Sequence, residues 1–134
     1  MTDPSAPARA PDHIGTRPRI DVEHAFGDLE AAAAAPQRQT QYSRGALAAY
    51  LWALGRGTTA PVTGARPDYD IPDLPHITAE VDASVAQLDD RLHRMAPRDY
   101  LQGAHDALSW LCGLSDEVPS SSDGDGAGEG AGAV

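Results

Sequence analysis

One pattern occurs twice in this chain, fifty-eight positions apart. Tyr42, Gly45, Ala46, Ala49, Trp52 and Gly55 recur as Tyr100, Gly103, Ala104, Ala107, Trp110 and Gly113, and the two copies hold both tryptophans of the protein. At about 100° per residue, the shared Tyr, Gly, Ala and Trp positions fall within roughly one third of a helix circumference. The closing glycine stands where a helix C-cap belongs. Two like helices, each burying the same stripe, are therefore the frame that any fold of this chain must accommodate. Glycine inside a helix costs about 1 kcal/mol relative to alanine. Its return at the same place in both copies predicts that small residues at Gly45, Ala49, Gly103 and Ala107 let the two helices cross closely.

Two further helices follow from periodicity. Val22, Ala25, Phe26, Leu29 and Ala32/Ala33 form an amphipathic stripe that starts near Ile20 or Asp21, with Asp21 as the N-cap, and stops at Pro36. Thr40 caps the first repeat helix. Val81, Val85, Leu88, Leu92 and Met95 step by 4, 3, 4 and 3, a seam pattern, behind Thr78 as N-cap. Pro97 opens the second repeat helix. Val22/Val81 and Leu29/Leu88 echo each other faintly at an interval of fifty-nine. The expected fold is all-α: a four-helix bundle from two related αα-hairpins, an internal repeat, joined by a long Pro/Gly-rich crossover at 57–76. Residues 1–19 read as a disordered lead, 20–113 as the bundle domain, and 114–134 as a disordered, acidic Gly/Ser-rich tail.

The net charge of −10 is spread unevenly. Residues 20–113 hold seven arginines against thirteen acids, and 114–134 hold five acids and no base. Sequence-independent binding to nucleic acid needs cations to displace phosphate counterions, so direct nucleic-acid binding is not expected, and neither is an anionic membrane. Lysine is absent. The single Cys112 excludes an intramolecular disulfide and any multi-cysteine metal site. No apolar h-region and no run of about 18 apolar residues is visible, which makes the cytoplasm the expected compartment.

Candidate chemistry is sparse. His24 with Asp28 and Asp89 with His93 each share a helical face at i, i+4, as bundle metal ligands do. Both pairs border the apolar stripes without entering them, so they read as surface groups, and no metal or cofactor is expected. His105-Asp106 lacks the further His and Asp that a metal-dependent phosphohydrolase requires. Ser43, Ser84 and Ser109 have no neighbouring His base in sequence, and no G-x-S-x-G elbow exists. Gly55-Arg56-Gly57 follows a helix and lacks the lysine of a phosphate loop.

The crossover carries the remaining interest, because loops this long in a compact domain are often functional. Tyr69, Ile71 and Leu74 offer apolar anchors, and Asp70 and Asp73 add charge for steering toward a basic partner. The expected function is that of a small, non-catalytic cytoplasmic protein, regulatory or accessory, that binds another protein through Tyr69, Asp70, Ile71, Asp73 and Leu74. A homodimer is one form of that association. Two other classes fit the same composition: an acidic inhibitor or nucleic-acid mimic encoded by a phage or mobile element, and a metal-binding helical-bundle enzyme built on the His/Asp pairs.

Overall fold

A computed structural model describes residues 12–34, 40–57, 59–66, 71–90, 92 and 96–119. Within them lie four helices, α1 (Arg19–Ala33), α2 (Gln41–Ala53), α3 (Leu74–Asp89) and α4 (Arg98–Leu111), and one two-stranded ribbon, β1 (His13–Ile14) and β2 (Arg17–Pro18). None of these helices is long and apolar enough to cross a membrane.

α2 and α4, which carry the two matched stretches of sequence, form the main packed pair; α1 leans on α2, and α3 leans on α4. The two interior glycines set how near they come. A Cβ added at Gly45 would fall 2.8 Å from the carbonyl carbon of Tyr100 and 3.0 Å from the nitrogen of Ala104. One added at Gly103 would fall 2.8 Å from the carbonyl carbon of Tyr42 and 3.1 Å from the nitrogen of Ala46. The contacts are reciprocal, and only the hydrogen of glycine fits between the backbones. Ala46, Ala49, Ala104 and Ala107 are buried beside them. Trp52 and Trp110 are buried at the far end of the stripe, and Tyr50 meets Trp110 edge-on with centroids 6.2 Å apart.

The start of α2 matches its sequence signal. Thr40 accepts from the Ser43 amide, and the Ser43 hydroxyl accepts from the Thr40 amide, a closed capping box. α2 and α4 both run into glycines with positive φ, 77° at Gly55 and 79° at Gly113, the left-handed backbone that ends helices. In α1, Val22, Ala25, Leu29 and Ala33 are buried as the periodicity predicts. Asp21 is not its cap: α1 begins at Arg19 behind Pro18, and Asp21 lies in the first turn, where its charge favours the helix dipole.

α3 begins four residues before the expected Thr78. Asp73 is the N-cap, its carboxylate accepting from the His76 amide at 3.1 Å, and Pro75 sits in the first turn. The expected crossover over 57–76 is shorter by three residues, since it ends at Asp73. Part of what remains is clasped by Glu80, a carboxylate only 4% exposed. Its carboxylate accepts from the Val62 and Thr63 amides at 2.9 and 3.1 Å and from the Thr63 hydroxyl at 2.7 Å. Tyr100 adds a hydrogen bond to the Pro61 carbonyl at 3.1 Å.

The expected disordered lead over residues 1–19 is corrected at its C-terminal end. Ile14 pairs with Arg17 across an antiparallel ribbon and is fully buried in the core. The ribbon closes the C-terminal end of α4, whose last carbonyls have no partner within the helix. The Thr16 amide and hydroxyl both donate to the Leu111 carbonyl, at 2.8 and 3.0 Å. Arg17 donates to the carbonyls of Trp110 and Ser115, at 2.7 and 2.6 Å, and its guanidinium lies 4.9 Å from the centroid of the Trp110 ring. The packed unit thus extends outside 20–113 in both directions, because Ser115 is held and Pro119 is buried. The expected lead over 1–11 and tail over 120–134 lie outside the described residues.

Candidate functional site

Three groups of side chains can be weighed as a site: the crossover residues, a polar cluster between α2 and α4, and the outer edge of α3.

Three of the five residues expected to contact a partner are among the described residues. Tyr69 and Asp70 lie outside the described residues. Ile71 is half-buried against the core, which makes it a pin of the crossover. Asp73 caps α3, and the hydrogen bonds donated by His76 hold its carboxyl below the usual carboxylate range. Leu74 belongs to α3 and stands 41% exposed. Of the pairs weighed as metal ligands, His24, Asp28 and Asp89 are exposed, and His93 lies outside the described residues. No group of three or more His, Cys, Asp or Glu side chains among the described residues is placed to hold a metal ion.

The polar cluster centres on Asp106. One carboxylate oxygen accepts from the Tyr42 hydroxyl at 2.6 Å; the other accepts from the Gln102 amide at 2.9 Å and lies 3.2 Å from His105 Nδ1. His105 Nε2 in turn lies 3.4 Å from the Ser109 hydroxyl. Burial pushes the Asp106 carboxyl up, but the hydrogen bonds from His105, Tyr42 and Gln102 outweigh it and hold it below the usual range. The i, i+4 spacing of His105 and Ser109 is the signal of this contact in the sequence. Ser, His and Asp in this order are the parts of a nucleophilic relay, yet the geometry here closes it off. Ser109 is buried in the wall of α4. The hollow beside Asp106, lined by Tyr42, Ser115, Glu117, Val118 and Pro119, holds about 90 Å³, room for roughly three waters at about 30 Å³ each. The cluster ties α2 to α4 through hydrogen bonds.

The repeat makes this cluster one-sided. Tyr42 and Tyr100 occupy the same position in the two copies, but position 106 corresponds to Ala48. Lacking a carboxylate there, Tyr100 turns its hydroxyl to Pro61 instead. Burial and the nearby Glu80 charge raise the Tyr100 phenol above its ordinary pKa.

The outer edge of α3 differs in kind. The seam read from the sequence starts inside the core, where Val81 is buried beside Ile77; its last residue, Met95, lies outside the described residues. Leu88 is half-buried, Val85 is 43% exposed, and Leu92 just past the helix is 87% exposed. Thr78 on the same edge lies 3.7 Å from the Cys112 sulfur at the end of α4. Burial pushes that thiol up, the Thr78 contact offsets part of the rise, and the Asp82 charge adds a smaller upward push. Asp82 and Asp89 stand exposed beside Val85.

No protein-family model matches this chain, and no curated protein or solved structure is detectably similar to it.

Proposed function

We propose that this is a small, non-catalytic cytoplasmic protein that works by binding another protein, and that the outer edge of α3 is the contact surface. The carrying observation is a seam that its own core covers only in part: Val81 is buried and Leu88 half-buried, while Val85 is 43% exposed and Leu92, just past the helix, is 87% exposed. A seam of this spacing normally packs against a second helix along its whole length, and this domain leaves Val85 and Leu92 open. Single exposed aliphatic residues need no explanation, but a run on one face rimmed by charge marks an interaction site. The acids around it suit steering of a partner more than they add affinity.

The fold that accompanies this reading is a four-helix bundle of two related αα-hairpins, α1–α2 and α3–α4. The matched pattern of α2 and α4 and their reciprocal glycine contacts support it. In such a bundle the α1 edge and the α3 edge are counterparts, and the open seam distinguishes them.

A photo-crosslinking residue placed at position 85, with a control at position 28 on α1, tests the contact in the native host. Adducts to another polypeptide at 85 and none at 28 are expected. Equal labelling at both positions, or labelling at 28 alone, would remove α3 from consideration.

A further inference from the structure

Resting on that contact surface, the chemistry of the partner can be taken one step further. Between the cap Asp73 and the C-cap Asp90, α3 and its flanks carry five acids and no arginine or lysine. One of the five, Glu80, is consumed by the crossover clasp. His76 is engaged with the Asp73 carboxylate. At about 100° per residue, Leu74, Thr78 and Val85 fall within roughly 40° of arc, and Asp82 and Asp89 lie some 20–60° further round on the solvent side. The edge therefore carries two part-exposed aliphatic residues, Leu74 and Val85, about three helical turns apart with Thr78 between them, and an acidic rail beside it. Its other wall is the end of α4, where Cys112 approaches Thr78 and Leu114, two residues on, is strongly exposed.

We propose that this edge seats a basic amphipathic helix of a partner protein, with aliphatic residues at i, i+3/i+4 and i+7 on Leu74 and Val85 and with lysine or arginine facing Asp82 and Asp89. A helix laid in a groove is read by such anchors, and unpaired acids of one sign select against a partner carrying the same charge. A second copy of this chain is disfavoured on that ground, because it would set one acidic rail against another.

The test uses the full-length, ¹⁵N-labelled protein and two synthetic helical 14-mers with the same leucine spacing, one with lysine and one with glutamate at the remaining positions. The lysine peptide is expected to shift the amides of residues 74–90, and the glutamate peptide to shift none. Asp82→Asn/Asp89→Asn and, separately, Val85→Ser should each weaken the lysine peptide at least tenfold while leaving the melting temperature unchanged; the Asn pair, fully on the surface, guards against a folding artefact. Shifts confined to residues 114–134 would mean attraction to the acidic C-terminal segment alone and would overturn the proposal. Equal binding of both peptides at α3 would discard the basic partner while leaving the contact surface intact. Concentration-dependent shifts at the same amides without peptide would assign the edge to a second copy. No response at α3 to either peptide, together with no adduct from position 85, would bring down the partner chemistry and the contact surface alike.

Discussion

Replacing Gly45 or Gly103 by alanine is the sharpest perturbation of the packed pair, since it adds one methyl group and improves helix propensity. Propensity alone would stabilise each variant by about 1 kcal/mol. The structure predicts the opposite sign. With the new Cβ only 2.8 Å from a carbonyl carbon that needs about 3.4 Å, and nearer still to its oxygen, α2 and α4 must part by at least about 0.6 Å. A gap of 0.5–1 Å forfeits a quarter to a half of each dispersion contact, and overpacking of cores costs about 1–3 kcal/mol. Backbone cannot swing aside as a side chain does, so the upper part of that range applies. Each variant should be about 1–2 kcal/mol less stable than wild type after the propensity gain is counted. Because one displacement relieves both clashes, the double variant should cost less than the sum of the two. Gly27 supplies the control: it is helical and exposed, with nothing within 4 Å of an added Cβ, so Gly27→Ala should stabilise by about 0.5–1 kcal/mol. Urea denaturation followed by circular dichroism reads all four. A Gly45→Ala or Gly103→Ala variant as stable as Gly27→Ala would refute the close approach.

Other outcomes follow from the clasp, the ribbon and the polar cluster. Glu80→Ala leaves the Val62 and Thr63 amides without their acceptor and should destabilise by about 2–3 kcal/mol, with Glu80→Gln costing less; equal loss in both would show that the charge rather than the hydrogen bonds matters. Deleting residues 1–18 removes buried Ile14 and the capping of α4 and should cost about 2–4 kcal/mol; deletion of 1–11 should leave the melting temperature unchanged, and identical behaviour of the two truncations would contradict the ribbon's role. The Asp106 carboxyl is held below its unfolded value of about 3.9, so its contribution is present above that pH and lost as pH falls through the lowered folded value. The stability gap between wild type and Asp106→Asn should therefore narrow on going from pH 7 to pH 2, and a gap independent of pH would show that Asp106 makes no charge-dependent contribution.

What the sequence made legible was whatever depends on a single helical period. The stripe of α2 and α4, the buried face of α1 and the Thr40 cap all follow from spacing within one element. The β1–β2 ribbon was hidden because two-residue strands leave no alternation to read, and Ile14 is a lone apolar residue among prolines and arginines. Pro75 was taken as loop punctuation, although proline suits the first turn of a helix behind an Asp cap; that reading moved Leu74 out of α3 and into the crossover. The burial of Glu80 had no local signal either, because its partners are the amides of Val62 and Thr63, eighteen and seventeen residues away. For the contact surface, the seam from Val81 to Leu92 was visible as a pattern. Which of its residues the domain covers depends on where α4 begins and ends, a tertiary fact that periodicity does not contain.

That the outer edge of α3 is where this protein meets another chain is tested most directly by hydrogen–deuterium exchange on the complex isolated from its host, compared with the free protein. Slowed exchange should map to residues 78–92, with the ribbon at 12–18 and α1 unchanged. Protection confined to the ribbon, to α1 or to residues 114–134, with α3 exchanging as in the free protein, would contradict it.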